Sequence, residues 1–94
     1  MSNNYEFFGF IVPAYMLDNL KAYINTGRGV GGFLTAVLEN DLKGAVDRAD
    51  SHNRANLPAY VGYLYNQAPG GCWGSPENVK AWKKAGGLKG LEKK

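Results

Sequence analysis

The sequence predicts a small all-α domain of four helices, carrying an apolar arm at its N-terminus and a basic tail at its C-terminus. Three observations predict it. Apolar residues recur at spacings of three and four in four separate segments, glycine and proline punctuate the gaps between them, and no segment alternates apolar and polar residues over a useful strand length. The chain has 94 residues, 45% of them hydrophobic and 13% aromatic, which is enough for one packed core and excludes intrinsic disorder. The single domain divides into an arm over 1–12, a helical core over 13–86 and a basic tail over 87–94.

Residues 1–12 gather Tyr5, Phe7, Phe8, Phe10, Ile11 and Val12 before Pro13. So apolar an arm is expected to lie on the domain or on a neighbouring subunit, with at most a short strand in it. Pro13 suits the first position of a helix over 13–26, where Met16, Leu17, Leu20, Tyr23 and Ile24 form the inner face and Gly27 the C-terminal cap. The second helix is expected over 32–49, with Leu34, Val37, Leu38, Leu42, Ala45 and Ala49 as its apolar stripe. The polar run DSHNRAN follows. Leu57, Tyr60, Val61, Leu64, Tyr65 and Ala68 then mark a third helix over 54–67, or one that starts near Asp50 and kinks at Pro58. Ser75 as N-cap, Pro76 behind it and Glu77 in the first turn open a fourth helix over 76–85, closed by Gly86 or Gly87.

Charge is unevenly placed. Residues 79–94 carry six lysines against Glu92, so the net +3 of the chain splits into +5 for this end and −2 for the rest. A tail of this kind is a solvated end, and with Trp82 as its one aromatic it offers no stacking platform for nucleic acid. No apolar run is long enough to span a bilayer and the N-terminus lacks the pattern of a signal peptide, so a cytoplasmic location, without membrane, is expected. Cys72 is the single cysteine and His52 the single histidine, which leaves no intrachain disulfide, no metal site and no activated nucleophile visible in sequence. The chain is therefore expected to be neither an enzyme nor a cofactor carrier.

Candidate binding residues centre on the stretch NTGRGVGGFLTAVLENDL. Unpaired N–H groups at a helix start attract phosphate, and glycines let it approach. Arg28, Gly29, Gly31, Gly32 and Thr35 thus form one candidate phosphate contact, although the spacing fits neither a Walker loop nor a dinucleotide fingerprint. Asp41 falls on the apolar side of the second helix between Leu34, Leu38 and Ala45, where a carboxylate needs a partner. Arg48 is that partner in a structural reading, whereas in a functional one Asp41 reads a base or ribose and Arg48 joins the site. Trp73 either pins the fourth helix to the core or stacks on a ring.

The segments VPAYMLDNLKAYINTG, GGFLTAVLENDLKGAVDRAD and YLYNQAPGGCWGSPENVKAW resemble a family of small uncharacterised proteins of phages, prophages and mobile elements, over Val12 to Leu88. That family often has prolines in the loop before the second helix, where this chain reads RGVGG. The resemblance implies a phage-encoded protein in a bacterial host. It further implies, as first expectation, an anti-defence sponge that sequesters a cyclic or ADP-ribose-derived nucleotide between subunits of a homo-oligomer. The alternatives are a module docking on a host or phage protein through Tyr5, Phe7, Phe8 and Phe10, or an accessory protein binding nucleic acid through the lysines.

Overall fold

A computed structural model describes residues 4–92. Among them are seven α-helices and a two-stranded antiparallel hairpin, a mixed α/β arrangement that corrects the expected four-helix all-α domain. The arm over 1–12 accounts for the sheet. Strands β1 (Tyr5–Phe7) and β2 (Phe10–Val12) pair with Tyr5 opposite Val12 and Phe7 opposite Phe10. Phe8 and Gly9 make the connection with φ of +50° and +85°, the backbone of a type I′ turn. Its right-handed twist matches the strands, so three residues a side suffice once the hairpin has a surface to lie on.

That surface is helix α5 (Leu57–Gln67). The Phe7 ring lies on Gly62, where a Cβ would come within 2.6 Å of Phe7 Cδ1, and Tyr5 meets Tyr63 edge to face at 5.2 Å. The Asn56 carboxamide oxygen accepts from the Ile11 amide at 2.9 Å and ties β2 to the start of the same helix.

Helix α1 (Ala14–Thr26) has the face and the left-handed Gly27 cap that its spacing predicts. The expected second helix is two. Helix α2 (Gly32–Leu38) closes at Asn40, whose φ is +62°, and α3 (Leu42–Arg48) begins after it. The Asp41 amide donates to the Ala36 carbonyl at 2.8 Å and the Asn40 amide to that of Val37 at 3.1 Å, the paired bonds of a Schellman closure. Asn tolerates the left-handed backbone and Asp caps the next helix, so Asn40–Asp41 ends one helix and starts another inside an unbroken apolar period. The Arg54 guanidinium donates to the Val46 and Ala49 carbonyls, satisfying the far end of α3.

Helix α4 (Ser51–Ala55) starts at Asp50, whose carboxylate accepts from the Asn53 amide, and the chain breaks at Asn56 before Leu57 and Pro58 open α5. The third helix therefore follows the first of the two sequence readings, with Pro58 in its first turn, and α4 is a separate short helix ahead of it where the second reading has a kinked extension. After a single 3-10 turn at Gly70–Cys72, α6 (Pro76–Ala85) carries the Ser75 cap and Pro76 start that the sequence shows. Much of the expected tail is helical too. Helix α7 (Gly87–Glu92) packs on the end of α1, with Gly87 against the Asn25 and Thr26 backbone.

The core forms between these layers around Val12, Leu20, Tyr23, Leu38, Tyr60 and Leu64. Its buried polar groups are matched. Tyr23 Oη donates to the Cys72 carbonyl at 2.8 Å, Tyr60 Oη to Asn53 Oδ1 at 2.7 Å, and Trp82 Nε1 to the carbonyls of Tyr23 and Ile24. Among the described residues no helix is long and apolar enough to cross a membrane.

Candidate functional site

The glycine loop before α2 has the bare backbone that the sequence suggests. Gly29 and Gly31 are exposed, and a Cβ at either would have no atom within 4 Å. Gly31 stands as the N-cap of α2, and Arg28 is exposed beside it in sequence. Thr35 is occupied locally, its hydroxyl donating to the Val30 carbonyl at 3.2 Å. Gly32 is exposed as well, with the Arg48 side chain close beside it, since a Cβ there would meet Arg48 Cδ at 3.1 Å.

Asp41 corrects the sequence expectation most sharply. It does not sit on a helix face, because the break at Asn40 lifts it out of the helix. Its Oδ1 accepts from the Gly44 amide at 3.0 Å as the N-cap of α3, and its Oδ2 lies 3.8 Å from Arg48 Nη1 with both side chains about half exposed. The fold thus gathers Gly32, Asp41, Gly44 and Arg48 at one place. The Asp41 carboxylate beside the Arg48 guanidinium sets a like charge next to any phosphate that Arg48 could hold. Trp73 lies elsewhere. The next residue, Gly74, donates its amide to the Leu38 carbonyl at the C-terminal end of α2, about 10 Å along the helix from Gly32. The Trp73 ring is half-buried against the core.

Cys72 is fully buried, and desolvation pushes its thiol up to about 11, away from the thiolate that nucleophilic chemistry needs. His52 is exposed on α4. Among the described residues no three His, Cys, Asp or Glu side chains cluster to hold a metal ion.

The most distinctive surface combines the hairpin aromatics, named from the sequence, with an outer row of α5 that the sequence did not single out. Helix α5 is apolar on two sides: Ala59, Tyr60, Tyr63 and Leu64 enter the core, while a second row at i, i+4 and i+8 runs from Leu57, partly buried against the core, to Val61 and Tyr65, which face outward. Val61 is 44% and Tyr65 79% exposed. A groove of about 460 Å³ runs between that stripe and the hairpin, lined by Phe7, Leu57, Pro58, Val61, Gly62 and Tyr65. Leu57 and Val61 also line a small hollow of about 40 Å³ with Val37, Leu42 and Ala45, which Asn40 and Asp41 line too, so the face reaches α3 beside a carboxylate. Leu42, expected in the core stripe, is 67% exposed because the helix break turns α3 away. At the other margin stands the hairpin tip, where Phe8 is 86% exposed and stacks edge to face on Phe7 at 4.7 Å. The available signal was α5 itself, LPAYVGYLYNQ, which is more apolar than one buried stripe requires.

A second, polar groove of about 570 Å³ is lined by Tyr5, Asp18, Lys21, Tyr63 and Gln67 among others. No protein-family model, no curated protein and no solved structure matches the chain.

Proposed function

We propose that the chain is a non-catalytic protein-binding module whose working surface is the apolar face made by the hairpin tip and the outer stripe of α5. One observation carries this reading: a phenylalanine occupies the first turn position of a type I′ hairpin, in left-handed backbone, with 86% of its surface exposed. Asn, Asp or Gly would hold that turn without strain, and a bulky residue there costs about 1–3 kcal/mol. Leaving the ring exposed also forgoes the roughly 1.5–3 kcal/mol that its burial would contribute. A contact made by Phe8 with another protein offsets both costs, and aromatic anchors beside a desolvated pocket are the usual centre of such contacts.

Sequestering a cyclic or ADP-ribose-derived nucleotide has less support from the geometry. Helix α2 has seven residues, Arg48 is shared with Asp41, and the apolar groove is lined by none of Arg28, Gly29, Gly31, Gly32, Thr35, Asp41, Arg48 or Trp73. The test is a photo-reactive phenylalanine analogue placed at Tyr65, with the same group at Lys80 on α6 as control, irradiated in cells that naturally produce the protein. A protein adduct from position 65 and none from position 80 is the expected result. No adduct at position 65 refutes the reading.

A further inference from the structure

We infer that the protein seated on this face is a second copy of the chain, related by a two-fold axis so that Phe8 of each copy enters the groove of the other between Pro58, Val61 and Tyr65. The inference rests on the protein-binding reading and names its partner. A two-fold interface requires one patch to be complementary to itself, so a projection and a recess must lie side by side on the same surface. Here they do: Phe7 is both a wall of the groove and the ring against which Phe8 stacks, at 4.7 Å. The hairpin connection has two residues, so the projecting ring stands on a short, fixed support and little freedom is lost when it docks.

The area is adequate. Phe8 and Tyr65, 86% and 79% exposed, together offer roughly 300 Å² of aromatic surface. With Leu42, Val61, Phe10 and the groove walls, the patch reaches on the order of 600 Å², so a symmetric pair covers about 1,200 Å², the lower end of the range for specific interfaces. Charge does not oppose the pairing of like with like, since the one carboxylate at the Leu42 end, Asp41, lies beside the Arg48 guanidinium. No lining residue of the groove is charged, and Glu6, on β1, pairs with Ile11 and so points to the opposite side of the hairpin from Phe7 and Phe10.

The experiment is sedimentation equilibrium of the full chain, with two variants that act on opposite halves of the contact. Wild type is expected to show a monomer–dimer equilibrium with a dissociation constant in the micromolar range, as suits an interface of about 1,200 Å². Phe8→Asn removes the projection and leaves a favourable turn, so it folds, and it should weaken the dimer by roughly thirtyfold or more, the scale of an interface hot spot. Val61→Asp spoils the recess and should do the same. A mixture of the two variants restores one intact contact of the two, and should associate more tightly than either variant alone. A dimer indifferent to both substitutions overturns the inference, as does a mixture no tighter than its components. A wild type that stays monomeric while the photo-reactive group at Tyr65 captures a different protein overturns the two-fold pair and leaves the protein-binding reading standing. A monomer with no adduct overturns both.

Discussion

Replacing Asp41 separates a structural carboxylate from a ligand-reading one. The Asp41 side chain accepts from the Gly44 amide at 3.0 Å, and losing an N-cap of this kind costs about 1 kcal/mol. The contact with Arg48, at 3.8 Å between half-exposed groups, adds at most ~1 kcal/mol and fades in salt. Asp41→Ala therefore loses about 1–2 kcal/mol, which in a domain of this size lowers Tm by roughly 5–12 °C. Asp41→Asn keeps an acceptor oxygen at the cap and loses the charge alone, at most ~1 kcal/mol, so its Tm should fall by no more than ~6 °C, and by less in high salt. Gly44→Ala is the internal check. Alanine gains about 1 kcal/mol of helix propensity over glycine, yet a Cβ at position 44 collides with the Asp41 carboxylate in its capping position, so this variant should still destabilise. Thermal melts followed by far-UV circular dichroism read all three. Equal losses for Asp41→Ala and Asp41→Asn would show that the charge matters and the cap does not, and the account of the helix break at Asn40 would fail with it.

Phe8→Asn, measured at a dilution where the chain is monomeric, should leave stability within about 1 kcal/mol of wild type or above it, because turn strain is relieved while one edge-to-face contact is lost; a larger fall removes the strain argument. Tyr23→Phe leaves the buried Cys72 carbonyl without its donor and should cost about 1–3 kcal/mol in chemical denaturation, even though no carbon is removed. Stability should decline in alkali. Burial raises the phenols of Tyr23, Tyr60 and Tyr63 above the ordinary 10.0 and the Cys72 thiol above 9.0, so below these values both states hold their protons, while at higher pH the unfolded chain releases them and the fold does not. Melts across the alkaline range check this, and a flat profile above pH 10 contradicts it. By the same burial, Cys72 should resist a thiol reagent in the native state and react once the chain is denatured.

Local chemistry was enough for some elements. The three-and-four spacing of Met16, Leu17, Leu20, Tyr23 and Ile24 with Gly27 behind them, and the Ser75–Pro76–Glu77 start of α6, specify helices through side-chain period and backbone capping alone, whatever packs on them. The bare glycine backbone ahead of α2 was legible for the same reason. Other features depend on surfaces that a sequence does not display. Asn40–Asp41 has the residues of a helix break, but the apolar period runs through them unbroken, and the turn is decided where Leu34 and Leu38 enter the core while Leu42 does not. Tyr5, Phe7, Phe10 and Val12 alternate around Phe8–Gly9, a pattern too short to hold a hairpin in water; the strands exist because Gly62 leaves room on α5 for the Phe7 ring. On α5, period alone puts Leu57, Val61 and Tyr65 on one side and Tyr60 and Leu64 on another, without saying which is inside. Tertiary packing assigns the second to the core through the Phe33–Tyr60 contact and the Tyr60–Asn53 bond, and leaves Val61 and Tyr65 of the first facing outward.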